Sequence, residues 1–205
     1  AHRLRKAVLD GAQMVCINPL RLDLNHPARQ IVGTPAAMIA DLAAIAKSLG
    51  VSATGALRDC IAGSEPGDEH DMAADCLRRM GEQGRGLILL GALATAHPDF
   101  SLLQTLAHAI AEVSNCRIGY LPAAANSVGA YLAGVHPQRL PGARPTDQPG
   151  LSLGGMLDAP RRTLVLWGLE PDRDLGNPAG AMAAFDKADF VVACSAFRSP
   201  SLETV

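Results

Sequence analysis

The stretch LILLGALATAHPDFSLLQTLAHAIAEVSNCRIGYL, residues 87–121, determines the fold class. It begins with one apolar run, Leu87 to Leu90, and ends with another, Arg117 to Leu121. Between the two runs, apolar side chains recur at the spacing of an amphipathic helix, at Leu102 or Leu103, Leu106, Ile110 and Val113. Strand, helix and strand in succession form the repeating unit of an α/β fold with parallel strands.

The same alternation extends along the chain. Further strands are predicted at Gln13 to Ile17, Thr163 to Trp167 and Phe190 to Cys194, with a weaker one at Val51 to Ala53. Helices are predicted from Leu4 to Gly11, from the Thr34 cap to Gly50, across Met72, Cys76 and Met80, and from Asn177 to about Lys187. Continuous apolar strands are typical of sheets covered on both faces. We therefore expect residues 1–205 to form a single α/β region, a mostly parallel sheet with helices on both faces.

One long segment interrupts this rhythm. Residues 136–160 contain five prolines and no clear periodicity, which predicts a long proline-rich loop. Such loops commonly lie against another body. The chain also opens inside a helical pattern without an initiator Met, as a piece of a longer polypeptide would.

Composition excludes several classes of function. The formal net charge of −2 offers no attraction for nucleic acid, and the longest nearly apolar run, Leu87 to Ala96, is far shorter than the roughly 20 residues that span a bilayer. We expect neither nucleic-acid binding nor direct membrane insertion. The five cysteines include no close pair, whereas zinc and iron–sulfur sites usually show such pairs. No metal ligand is predicted.

In open α/β sheets ligands lie beyond the carboxyl ends of the strands. Asn126 and Ser127 open a predicted helix there, and free N–H groups at a helix start can bind an anion, although an ordinary helix cap explains the same residues. The acidic loop Glu170 to Asp174 could hold a cation, or it is a solvated turn with Arg173 paired to a carboxylate. Gly150 to Gly154 matches Gly-x-Ser-x-Gly, but no predicted strand enters that turn. No catalytic residue is predicted, and an unrelated α/β enzyme stays as an alternative.

Two runs carry a family resemblance. The run LPAAANSVGAYLAGVHP, residues 121–137, and the run LWGLEPDRD, residues 166–174, resemble the large iron–sulfur subunit of bacterial NADH:quinone oxidoreductase, respiratory complex I. The helix from Leu4 to Gly11 followed by Met14 to Pro19 is similar to a helix-strand-Asn-Pro element of the wider molybdopterin oxidoreductase family. The likeness covers nearly the whole chain and is least clear from Val51 to Gly84.

The resemblance implies a Rossmann-like, molybdopterin oxidoreductase-type domain that serves as a non-catalytic structural part of that subunit. The parent complex transfers electrons from NADH to quinone. The family's iron–sulfur clusters are bound by Cys-rich motifs in the amino-terminal part of the subunit, which this sequence does not contain, so no cofactor is expected here. The implied partners are other subunits of the peripheral arm, on the cytoplasmic side of a membrane-bound complex.

The resemblance also points to a vestigial ligand surface. Its matching positions are Asn18, Asn126, Ser127, Gly168 and Glu170, all at predicted strand ends. Glu170 stands where the wider family often has Asn, and a carboxylate there repels a phosphate. The alternative to a structural domain is a molybdopterin- or nucleotide-binding domain of a molybdoenzyme-like oxidoreductase.

Overall fold

The chain divides into two compact units. A computed structural model describes residues 2–159 and 161–203, and its contacts cluster into one unit at Ala1–Ala125 and another at Asn126–Val205. The sequence predicted a single region over residues 1–205. That residues 1–205 form a single region stays a prediction.

The first unit alternates helices with parallel strand pairs. Its helices are α1 (His2–Leu9), α2 (Ala37–Ser48), α3 (Gly55–Ala62), α4 (Asp68–Glu82), α5 (Ala92–Thr95) and α6 (Phe100–Val113). Its strands are β1 (Val15–Asn18), β2 (Arg29–Val32), β3 (Leu87–Leu90) and β4 (Arg117–Tyr120). β1 pairs with β2 and β3 pairs with β4, both in parallel.

The core of this unit is built around α2, which packs against α3, α4 and α6. Ala43 and Ala46 of α2 are fully buried in this core. From α6, the buried Leu106 and Ile110 join the same cluster. The predicted stripe is thus buried at Leu103, Leu106 and Ile110, whereas its last member, Val113, is 50% exposed.

The second unit contains two further strand pairs. Its helices are α7 (Ser127–Leu132), α8 (Leu153–Asp158), α9 (Pro171–Asp174), α10 (Pro178–Phe185) and α11 (Pro200–Glu203). Its strands are β5 (Arg139–Leu140), β6 (Arg144–Pro145), β7 (Thr163–Trp167) and β8 (Phe190–Cys194), with a 3-10 turn at Pro141–Ala143. β5 and β6 are antiparallel, and β7 and β8 are parallel. Leu166 of β7 packs with Ala181 and Phe185 of α10 in the core of this unit.

The mixed α/β class is confirmed, and three predicted strands have the observed bounds, namely β3, β7 and β8. A single mostly parallel sheet is not confirmed, because the strands of the described residues form four separate two-stranded ladders. The weak strand predicted at Val51 to Ala53 is wrong, since those residues form no regular element before α3. Both β2 and α3 were missed.

The segment predicted as a long loop is more structured than expected. Of residues 136–160, the structure describes 136–159, and these contain the β5–β6 hairpin, its 3-10 turn and α8. The prediction of an element-free loop is therefore corrected. None of the helices in the described residues combines the length and the apolar character needed to cross a membrane.

Candidate functional site

The loop after β7 contains two of the predicted site residues. Gly168 has a left-handed backbone, φ +60°, and its N–H donates to the Cys194 carbonyl at 2.7 Å, which fixes the loop to the end of β8. Glu170 lies 3.2 Å from the Arg173 guanidinium, Oε2 to Nη1. The backbone N–H of Glu170 donates to Asp174 Oδ2 at 2.7 Å. The interpretation of Arg173 as paired with a neighbouring carboxylate is confirmed.

The loops after β7 and β8 are joined by a hydrogen bond that the sequence did not reveal. The Ser201 hydroxyl in α11 donates to Asp172 Oδ1 in α9, and lies 3.1 Å from the hydroxyl of the buried Ser199. This bond, and one from its own backbone N–H, hold the pKa of Asp172 below its usual value. A lowered pKa means that the contact adds stability above the unfolded-state pKa and loses it as the pH falls through the folded one.

We predict that Ser201→Ala raises the pKa of Asp172 toward its ordinary value, because the largest of the lowering contacts is removed. NMR titration of the Asp172 carboxyl carbon measures this shift. Ser195→Ala is the matched control, since the Ser195 hydroxyl accepts from the Phe197 N–H instead. An unchanged titration of Asp172 in Ser201→Ala would contradict the assignment.

Asn126 and Ser127 begin α7, as predicted. Asn126 is exposed and makes no side-chain cap bond, but its amide lies across the first turn of the helix. A Cβ on Gly129 would overlap the Asn126 side chain, so the glycine makes room for the amide. Ser127 is half-buried. The Asn126 side chain thus packs against the first turn of α7, which is a helix of six residues.

The five predicted positions are divided between the two units. Asn18 ends β1 in the first unit, where its carbonyl accepts the Gly33 N–H at 3.4 Å, and the other four lie in the second. The structure brings Gly168 and Glu170 together in one loop, and the side-chain ion pair of Glu170 is formed within that loop. A crevice that also includes Asn126 and Ser127 stays a prediction.

Ser152 of the Gly-x-Ser-x-Gly match caps a helix. Its hydroxyl accepts the Gly155 N–H at 3.3 Å at the start of α8. A nucleophile elbow requires a serine on a sharp turn between a strand and a helix, and β6, the nearest preceding strand, ends at Pro145. The rejection of this motif is confirmed.

A polar link in the first unit also escaped the sequence analysis. The Nε2 atom of His70, in α4, lies 3.1 Å from Asp41 Oδ1. Its Nδ1 atom accepts the Gly67 N–H at 3.0 Å. The hydrogen bonds assign the proton to Nε2, which donates to the carboxylate. The pair is mostly buried, and it ties the start of α4 to α2. Its role is therefore to hold two helices together.

Two cysteines lie in environments that suppress thiolate formation. Burial raises the pKa of both the Cys16 and the Cys76 thiols, whereas Cys194 is exposed. Within the described residues, no group of three or more His, Cys, Asp or Glu side chains is placed to hold a metal ion. The prediction that this chain holds no metal or cofactor remains to be tested.

One face of the β7–β8 ladder is uncovered. Val165, Trp167 and Phe190 project from it, and we call these residues the open face. Trp167 is 82% exposed, and Val165 and Phe190 are each 62% exposed. Trp167 stands opposite Cys194 and Phe190 opposite Thr163 in the parallel register. Helices on both faces are thus not confirmed for this ladder, because among the described residues the apolar cluster packs on the face of Leu164 and Leu166.

Comparison of the chain with protein-family models, curated proteins and solved structures finds no match.

Proposed function

We propose that this chain is a non-catalytic structural domain of the large iron–sulfur subunit of NADH:quinone oxidoreductase, whose parent complex transfers electrons from NADH to quinone. In this proposal the domain contacts other subunits of the peripheral arm, on the cytoplasmic side of the membrane. The observation that carries it is the open face of β7–β8, together with the resemblance of residues 121–137 and 166–174 to that subunit.

The open face has the composition of an interface rather than of a free surface. Large exposed apolar patches mark interaction sites, and tryptophan is enriched among the residues that contribute most to binding. Trp167 has the largest exposed fraction of the large hydrophobic residues described. Burial of such a ring against a partner stabilises the complex at about 25 cal/mol per Å² of apolar surface. A structural domain within a larger assembly explains this face directly.

The charges of the strand-end loop favour a scaffold over a phosphate site. Arg173 is the cation of this loop, and the Glu170 carboxylate already compensates it at 3.2 Å. A bound phosphate would have to displace that carboxylate and would face repulsion from it. The loop therefore lacks an available cation for an anionic ligand.

We also infer that β1–β2 and β3–β4 belong to one mostly parallel, Rossmann-like sheet of the molybdopterin oxidoreductase type. Ile17 of β1 and Ile88 of β3 pack in the same two apolar clusters, so side chains from both ladders share a core. Cross-strand nuclear Overhauser contacts between the amide protons of one strand and the α-protons of the other, for β1 and β3, would test this. Their absence would leave two separate ladders. In the subunit that the sequence resembles, the iron–sulfur clusters are bound by Cys-rich motifs in the amino-terminal part, and we propose the same for the parent of this chain.

Site-specific photocrosslinking tests the structural role. Benzoylphenylalanine placed at Val165, on the open face, should crosslink the domain to another peripheral-arm subunit in the assembled NADH:quinone oxidoreductase. The same group at Lys187, an exposed residue outside the open face, is the control. Failure of the chain to assemble with the complex, or equal crosslinking from both positions, would overturn the proposal.

The alternative, a retained nucleotide or pterin site, rests on Gly168 and Glu170 at the end of a parallel strand. We predict that the chain does not bind GDP at micromolar concentration, which requires about 8 kcal/mol. A pair between a GDP phosphate and the exposed Arg173 would contribute only about 1 kcal/mol or less to that binding free energy. Calorimetric titration with GDP measures this directly.

The same titration with Glu170→Asn tests whether the Glu170 carboxylate is what prevents GDP from binding. That variant frees Arg173, so binding that appears only there would indicate an ancestral site closed by the carboxylate. Asp186→Asn, which removes an exposed charge elsewhere in the unit, is the control. Micromolar binding by the unmodified chain would favour the nucleotide-binding alternative.

A further inference from the structure

An open cavity of about 200 Å³ lies in the first unit, beside the start of β2. It is bordered by β1 and β2, by the loop that joins them and by the start of α4. Its lining combines charged with apolar residues, which include Val15, Arg21, Arg29, Ile31, Glu69 and Met72. Pockets for drug-sized ligands begin at about 300 Å³. This cavity therefore suits a smaller molecule, of the size of one amino acid.

Hydrogen bonds fix the walls of this cavity. The side-chain amide of Gln30 accepts the Leu22 N–H at 2.7 Å and donates to the Leu22 carbonyl at 2.8 Å. These two bonds hold the loop to β2 at the residue that follows Arg21. In α4, Glu69 precedes His70, which is tied to α2 by the hydrogen bond described above. A cavity with fixed walls loses little entropy when a small molecule binds.

The charged residues of the cavity are not paired with one another. Arg21 and Arg29 contribute two guanidinium groups, and Glu69 contributes one carboxylate. Within residues 2–159 and 161–203, none of the three lies at ion-pair distance from an opposite charge. All three residues are exposed, so a molecule from solvent can reach them. A ligand that carries both an anionic and a cationic group would complement all three charges.

Apolar residues accompany these charges. Ile31 is buried, whereas Val15 and Met72 are half-buried. Val15 pairs with Arg29 in the parallel register of β1 and β2. Met72 follows Glu69 by three residues in α4, which places the two on the same side of the helix. The cavity thus offers apolar contact next to both kinds of charge.

We propose that this cavity binds a free α-amino acid with an aliphatic side chain. Arg21 and Arg29 bind the carboxylate, to which a guanidinium group donates two parallel hydrogen bonds. Glu69 accepts from the ammonium group, and Val15 and Met72 contact the side chain. The Glu69 carboxylate repels a purely anionic ligand, and the arginines repel a purely cationic one. The proposal goes beyond the structural role proposed above and does not depend on it.

Three ligands of similar shape test the need for both charges. L-leucine carries both at neutral pH, 4-methylpentanoate lacks the ammonium group, and 3-methylbutylamine lacks the carboxylate. Each is titrated into the full chain at constant ionic strength and followed by backbone amide NMR. Leucine should bind about threefold to fivefold more tightly than 4-methylpentanoate, as expected for one exposed ion pair, and more tightly than the amine. The absence of a saturable shift with leucine, or equal Kd values for leucine and 4-methylpentanoate, would overturn the proposal.

Removal of a guanidinium group locates the site. Arg29→Gln should raise the Kd for leucine by about threefold or more, because one partner of the carboxylate is lost. Arg117→Gln is the matched control, since Arg117 begins β4 opposite Leu87 as Arg29 begins β2, and it does not line the cavity. An equal rise in the control would place leucine elsewhere and refute the site. If Arg29→Gln loses its circular dichroism spectrum, Arg21→Gln in the loop should give the same rise, and an unchanged Kd there would refute it too.

Glu69→Gln tests the contact with the ammonium group. This variant should bind leucine no more tightly than 4-methylpentanoate, because the amide neither pairs with an ammonium group nor repels an anion. Glu65→Gln, which removes an exposed charge outside the cavity, should keep the preference for leucine. A preference that persists in Glu69→Gln would contradict the proposal. Tighter binding of 4-methylpentanoate than of leucine by the unmodified chain would assign the cavity to simple carboxylates instead.

Discussion

Gly81→Ala is expected to lower the free energy of unfolding by about 3 kcal/mol, near the upper end for overpacked positions. A Cβ at this buried residue would overlap the Ser114 carbonyl oxygen and lie 2.8 Å from the Ser114 carbonyl carbon. The obstacle is backbone, which cannot rotate away as a side chain does. Asn115 follows with a left-handed backbone, φ +52°, and its amide donates to the Gly81 carbonyl at 3.2 Å, so the turn is fixed to the end of α4.

Urea unfolding monitored by far-ultraviolet circular dichroism measures this loss. Gly91→Ala is the matched control in the same unit, because nothing lies within 4 Å of its Cβ and its φ of −92° suits alanine. Gly86→Ala offers a second check, since its Cβ would overlap Cys116 Sγ, and Cys116→Ala should restore part of the lost stability. A Gly81→Ala chain as stable as the Gly91→Ala control would show that the end of α4 and the Ser114 turn are not in contact.

Truncation of two adjacent residues of β7 should change the free energy of unfolding by very different amounts. Leu166→Ala is expected to cost about 3 kcal/mol, because Leu166 is only 6% exposed and packs against Ala181 and Phe185 of α10. Trp167→Ala, which removes a far larger side chain from the open face, should change stability by less than about 0.5 kcal/mol. The two values differ because the tryptophan side chain lies mostly in solvent, so its removal takes little apolar surface out of the interior.

The same urea titration, followed by circular dichroism, gives both values for the isolated chain. If Trp167→Ala proves as destabilising as Leu166→Ala, the open face is covered in the free chain and the proposed structural role loses its main support. In the assembled complex we expect the opposite ranking for association, with Trp167→Ala weakening it most.

Much of the fold could be predicted because local sequence determines it. Continuous apolar runs gave the exact bounds of β3, β7 and β8, and the stripe through Leu106 and Ile110 predicted the buried face of α6. β2 was missed because Arg29-Gln-Ile-Val32 has only two apolar residues and is defined by its pairing with β1. The Gln30 amide also bonds both backbone groups of Leu22, an interaction that no local pattern reveals.

Less of the candidate site was accessible from sequence. The pairing of Arg173 with a neighbouring carboxylate was predicted because its loop contains three of them, but the sequence did not single out Glu170. The contact of Asp172 with Ser201 was not, because it joins loops that follow different strands. Ser199-Pro-Ser201 was the available clue, as serines commonly begin short helices. The open face was missed because an apolar run shows that both faces are hydrophobic, but not which one the chain itself covers.

The two kinds of strand pairing also set a time order for folding. Leu140 of β5 pairs with Arg144 of β6 across a single tight turn, and such hairpins form in about 1–10 μs. Thr163 of β7 pairs with Phe190 of β8 across a segment that contains α9 and α10, and non-local parallel pairing of this kind is slow. The arginines of the hairpin are therefore expected to reach their final positions while β7 and β8 are still unpaired.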